Sequence, residues 1–252
     1  MICKNCNHPV SNKYCENCGQ KVRTEQLTYA YIMKDLNESF FSLNKGFFHT
    51  FRELTCRPAQ CIREFLAGKR RNHYKPISYL ILCASIYFLF TKLTNQNTWL
   101  AAFLGDFTTG FEESSSVDLP AAIHWFAQNY AYATLLLIPL FALLTRLFFR
   151  KDSYNYIEHI ALNSYIAGHQ SVIYIFFAVS NLVLNTEIEI QVLSIGTSLA
   201  YCTWVLSSLF KSRSTKHNII RVIGVYLLYL LSSVLLLAII IAISAFLAFN
   251  KS

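Results

Sequence analysis

Beyond Lys75 the chain is built from apolar stretches that each come near the ~20 residues needed to cross a bilayer about 30 Å thick. They cover about residues 77–94, 130–149, 157–184, 188–210 and 221–249. Composition agrees: 54% of the 252 residues are hydrophobic and 14% charged, with a mean hydropathy of +0.36. One soluble core could not hide that much apolar surface. The expected fold is an all-α membrane protein with five transmembrane helices in a bundle over residues 76–252.

The connections between these stretches alternate in charge. Residues 95–129 carry Asp106, Glu112, Glu113 and Asp118 and no Lys or Arg, and the next connection carries Arg146, Arg150 and Lys151. Glu187 and Glu189 lie between the third and fourth stretches, and Lys211, Arg213, Lys216 and Arg221 between the fourth and fifth. Basic loops stay in the cytosol, so the N-terminus is expected inside and the C-terminus outside. Trp99, Phe103 and Phe107 suit a membrane surface on the outer side.

Upstream of the bundle the reading changes. Residues 3–19 read CKNCNHPVSNKYCENCG, two CxxC pairs separated by eight residues. Four thiolates at this spacing form the tetrahedral sulfur set of a structural zinc site, which predicts a zinc ribbon over residues 1–22 with Cys3, Cys6, Cys15 and Cys18 as ligands. Disulfides are the rival reading, but no signal peptide precedes the pairs, which points to a reducing cytosol. His8 is expected in an exposed loop because four sulfurs fill the shell. Gly19 suits the tight turn. So small a module has little core, and metal must supply most of its folding energy.

Residues 23–75 carry amphipathic, basic helices. Ile32, Leu36, Phe40, Leu43 and Phe47 recur on one stripe, with Asn44 and Gly46 as breaks, Pro58 as a first-turn proline and Gly68 as a stop. Such helices either pack on the bundle or lie in the membrane interface. The basic residues Lys69, Arg70, Arg71 and Lys75 immediately precede the first span, where contact with lipid phosphate is expected. Of the 22 Lys and Arg, 13 precede Pro76. Nucleic-acid binding is the weaker reading of that charge, since apolar residues interleave with the basic ones at helical spacing.

The third stretch is the polar one. Glu158, Tyr165 and His169 fall on one side of a helical wheel, and ionisable groups in lipid must find partners. Arg146, at the end of the second stretch, is the expected partner of Glu158, and His169 is expected near the bilayer midplane. The set reads either as a structural seam or as a substrate, proton or metal path. Pro139 should kink the second span, and Ser194, Gly196, Ser198 and Ala200 offer the fourth a small-residue face. Cys56, Cys61, Cys83 and Cys202 read as ordinary buried or interfacial thiols. No HExxH, P-loop, GxGxxG or GxSxG occurs, so no enzyme activity is expected.

The order CxxC…CxxCG, then ESFFSLNKGFFHTFRELTCRPAQCIREFLAGKRRNHYKPISYL, then NYIEHIALNSYIAGHQ resembles a bacterial family of polytopic membrane proteins with an N-terminal zinc ribbon, catalogued only as a domain of unknown function. The resemblance implies architecture and a place in the bacterial cytoplasmic membrane, and nothing about mechanism. The functional expectation is a scaffold or regulatory factor that offers its cytosolic face to a protein partner or to membrane lipid. The alternative is a small-solute or ion transporter using the polar stripe of the third span.

Overall fold

The computed structural model describes residues 1–22, 27–29, 45–102, 105, 129–152, 154–184, 187–210 and 214–249. The expected stripe residues Ile32, Leu36, Phe40 and Leu43 fall outside that set. So do Phe103, the acidic residues of the connection that follows it, Lys211, Arg213 and the side chains of Glu187 and Glu189.

The described body is helical: α1 Lys45–Cys56, α2 Pro58–Leu66, α3 Pro76–Leu93, α4 Tyr130–Phe148, α5 Tyr156–Leu184, α6 Glu187–Leu209 and α7 Thr215–Phe249. Four of these, α3, α5, α6 and α7, are long and apolar enough to cross a membrane, and α4 contributes a shorter apolar run, Tyr132–Phe148. Pro58 and Pro76 each occupy the first turn of their helices, where a missing N–H costs nothing. At the end of α2, Gly68 adopts a φ of +102°. Its N–H bonds to the Phe65 carbonyl, and Lys69 N–H reaches Glu64, which closes the helix with a left-handed cap that favours glycine.

α5 is the hub, in contact with α1, α2, α3, α4 and α6, while α7 closes over α4 and α6. Contacts along α5 give the helix directions. Tyr79 and Tyr87 of α3 meet Tyr165 and Tyr174 of α5 in the same order, so these two helices run parallel. On α4, Tyr130 comes together with Tyr174 around Trp99 at one end, and Thr145 meets His159 at the other, so α4 runs antiparallel to α5. α6 also opposes α5, with Ser198 at Tyr174 and Phe210 at His159. Finally, Asn218 near the start of α7 donates to the carbonyls of Ser207 and Phe210. Consecutive helices from α3 to α7 therefore alternate in direction. The starts of α3, α5 and α7 gather with the ends of α4 and α6 at one pole, which carries the basic residues and is called the basic end below.

Gly168 sets the close approach of α3 and α5. A Cβ there would lie 2.7 Å from Tyr79 Cδ1 and 3.0 Å from the Leu80 Cα, so only glycine lets α3 and α5 touch at this level. On α6 the expected small face is half used: Ser194 and Ser198 are buried, whereas Gly196 and Ala200 are exposed. Tyr201, Cys202 and Val205 continue the buried side, because the contact follows the 3.6-residue period rather than the run of small residues. α4 continues through Pro139, whose carbonyl accepts the Tyr156 hydroxyl.

Of the amphipathic helices, the described α1 and α2 pack on the bundle. Leu54, Cys61, Ile62 and Phe65 are essentially inaccessible and share one cluster with Tyr79, Leu162, Tyr165, Val205 and Leu206. Burying each such aliphatic or aromatic side chain is worth roughly 1.5–3 kcal/mol relative to water. Arg63 then reaches the carbonyls of Ser208 and Leu209 and caps the C-terminal end of α6.

Candidate metal centre and polar core

The N-terminal module is a tandem of two similar turns. In the first, Cys3 N–H bonds to the His8 carbonyl, Asn7 N–H to the Cys3 carbonyl, and Val10 N–H to Met1. In the second, Cys15 N–H bonds to Gln20, Gly19 N–H to Cys15, and Val22 N–H to Lys13. Residues Ile2–Pro9 and Tyr14–Lys21 are bridged in the same way. Asn7 and Gly19 hold the equivalent left-handed positions, at φ 58° and 70°, where Asn and Gly are the residues best tolerated.

Folding both turns brings together the four expected ligands. Cys3 and Cys18 sulfurs are 3.6 Å apart and those of Cys6 and Cys15 3.5 Å, and all four lie within 4.8 Å of one another, a group that could hold a metal ion. The Gln20 main chain and then the neighbouring cysteines lower the Cys18 thiol against desolvation, while Cys15 in the same cluster is raised, so the four sulfurs share their protons as one group. Besides the cysteines, the module's core holds only Val10 and Val22. His8 is exposed, as expected for a loop residue outside the shell.

Sequence reasoning missed how this module is moored. The side chain of Gln20, 4% exposed, donates from Nε2 to the Gly68 carbonyl at 2.9 Å and accepts from Arg70 N–H and Arg71 N–H at 3.0 and 3.1 Å. Arg71 lays its guanidinium over Gly19, 3.4 Å from where a Cβ would sit. The basic turn has partners in the chain itself: Lys69 pairs with Glu64 at 3.6 Å, and Arg70 lies over the Phe65 ring. Lys75 is the extended residue that precedes α3.

Within α5, Glu158, Tyr165 and His169 are all buried, but they do not form one site. Glu158 departs from expectation. Its carboxylate accepts the Asn155 N–H while the Asn155 side chain accepts the Glu158 N–H, both at 2.8 Å. This is a reciprocal helix cap with Asn in the Ser/Thr position. Among the described residues Arg146 and Glu158 form no ion pair, and Arg146 is exposed. A carboxylate in the first helical turn already has its backbone donors and needs no distant cation. Tyr165 donates its hydroxyl to the Tyr74 carbonyl, just before α3.

His169 finds its partners in neighbouring segments and lies level with Tyr79, one turn into α3. The Tyr79 hydroxyl is 3.0 Å from Nδ1 and Thr55 Oγ1 is 3.3 Å from Nε2, with the rings of Phe51 and Tyr201 alongside. Thr55 donates to the Phe51 carbonyl, so it can only accept from Nε2–H, and Tyr79 then donates to Nδ1. The arrangement satisfies a neutral imidazole completely. His159, about 80° around α5 from His169, meets Thr145, which also accepts from Asn163. It also stacks against Phe210, the residue after the end of α6.

These contacts give meaning to a sequence comparison. Residues 44–88 are similar to a family described as a protein of unknown function (DUF3667). That stretch runs from α1 through the basic turn into α3. It contains Thr55 and Tyr79, which close on His169, and the turn that receives Gln20. No curated protein and no solved structure matches the chain.

Proposed function

We propose that the chain is a five-span protein of the bacterial cytoplasmic membrane in which a zinc knuckle and basic helices form a cytosolic docking face, the working end of a scaffold or regulatory factor. The observation that carries this reading is the mooring of the cysteine module. Gln20 fixes it to the basic turn beside α3, while Ile2 and Tyr14, at matching positions of the two turns, stay 69% and 61% exposed. A rigidly held module with apolar side chains facing outward suits recognition of a protein partner.

Zinc is supported by the donor set and its geometry. Four thiolates about 2.3 Å from zinc form a tetrahedron with edges of roughly 3.8 Å, near the 3.5 and 3.6 Å sulfur separations. A closed sulfur shell gives zinc a structural role, in which it supplies folding energy and leaves no open position for substrate. Five crossings are supported by the alternating helix directions, with the apolar run Tyr132–Phe148 of α4 as the shortest of the five. The basic end then faces the cytosol by the charge of its connections. The transporter reading has less behind it: His169 and Tyr165 have hydrogen-bond partners in neighbouring segments, and Glu158 serves as a cap.

The test is co-purification from native membranes with the full chain, an Ile2→Ser/Tyr14→Ser variant that leaves the ligands intact, and a His169→Phe variant. The docking reading expects one or more partners to be lost with the double variant and kept with His169→Phe. An identical set of partners from the full chain and the double variant contradicts it.

A further inference from the structure

The mooring of the knuckle links metal occupancy to the state of the basic turn. Gln20 belongs to both. Its main chain is part of the cysteine module, with the carbonyl accepting Cys15 N–H at 2.8 Å. Its side chain belongs to the body: the Oε1 lone pairs take the Arg70 and Arg71 amides, and Nε2 takes the Gly68 carbonyl. The position is not one that the knuckle itself requires to be buried, since the equivalent residue of the first turn, His8, is exposed. Arg71 over Gly19 adds a second contact to the same turn.

We infer that the metal knuckle is a lock on the chain's own basic turn: bound metal holds Gln20 in place and keeps the Gly68–Arg71 backbone fastened, and loss of metal releases Arg71 from Gly19 and loosens the turn so that its cations can turn toward anionic lipid headgroups. The inference rests on the reading of the four cysteines as metal ligands. With Val10 and Val22 as its other core residues, the module cannot hold its shape without the ion. Once it unfolds, Gln20 has no fixed position from which to bond two consecutive amides. The freed turn sits directly before α3, and a cluster of cations at the start of an apolar helix is drawn to an anionic surface within about a Debye length.

The experiment is limited trypsinolysis of the full chain in zwitterionic nanodiscs, with cleavage after Lys69, Arg70 and Arg71 read by mass spectrometry and metal content measured on the same samples. Metal-loaded protein should be protected. Chelation should raise cleavage by about tenfold or more, the shift in local opening expected from losing two or three hydrogen bonds, and added zinc should reverse it. Gln20→Ala should keep its metal and be cut like the stripped wild type. Anionic phosphatidylglycerol in the nanodisc should protect the stripped protein again and leave the loaded protein unchanged. Equal cleavage of loaded and stripped wild type overturns the lock, as does a metal-loaded Gln20→Ala protein that stays protected. Should Gln20→Ala lose its metal, the wild-type chelation result decides. Failure of phosphatidylglycerol to protect overturns the lipid half. Absence of metal from the purified wild type instead defeats the metal reading itself, so the two failures are distinguishable.

Discussion

Asn155 and Glu158 satisfy one another at the head of α5, and this fixes what their removal should do. Asn155→Ala and Glu158→Ala should each lower stability by about 1 kcal/mol, as loss of a helix cap does, whereas Arg146→Ala should change it by about 0.5 kcal/mol or less. In thermal unfolding of detergent-solubilised protein, Arg146→Ala and Glu158→Ala should add to within about 0.5 kcal/mol; coupling of about 2 kcal/mol would show that they pair after all. Tyr79→Phe strands His169 Nδ1 without its donor and should cost about 1–3 kcal/mol. Gly168→Ala should cost a similar amount by forcing Tyr79 aside, and unchanged melting in both variants would contradict this account of the α3–α5 contact. The buried side of α5 was legible in the sequence, because periodicity places Glu158, Tyr165 and His169 on one face. Their partners were not. Tyr79 and Thr55 lie 90 and 114 residues from His169, and Gln20 bonds to backbone groups, which leave no mark on residue type.

At the scale of elements, the contact between α1 and the basic turn should depend on pH. His73 is buried against His49 and Phe65. Burial and then the His49 imidazole hold its pKa below the ordinary histidine range, while Glu64 and Glu53 oppose the shift. A histidine depressed in the folded state contributes stability that is fully present above its unfolded value of about 6.5 and lost as pH falls through the folded one. Amide exchange of Thr50 and Tyr74, joined by a hydrogen bond, should therefore accelerate as pH drops from about 8 to about 5 beyond its intrinsic pH dependence. His73→Phe should flatten that change, and a profile the same in both proteins would argue against His73 as its source. The ends of these elements were legible from Pro58, Gly68 and Pro76, each of which fixes a backbone conformation locally. That α1 and α2 sit within the bundle was not, because an amphipathic stripe specifies an apolar neighbour without saying whether it is lipid or another helix.

For the whole molecule, hydrophobic length and the alternation of charge between stretches carry most of what could be read in advance, and both act through the bilayer rather than through particular contacts. The cysteine module stands apart in depending on metal. Replacing Cys15 with Ser should abolish metal binding and unfold residues 1–22 while α3–α7 remain inserted, which circular dichroism and metal analysis would register together. Full metal content in Cys15→Ser would remove that residue from the ligand set. The proposed topology is a five-crossing bundle with the module and the basic end on the cytosolic side. Reporter fusions after Ser116, Ser214 and Ser252 test it most directly: the first and last should register outside the membrane and the middle one inside. A cytosolic signal at Ser116 would contradict the claim.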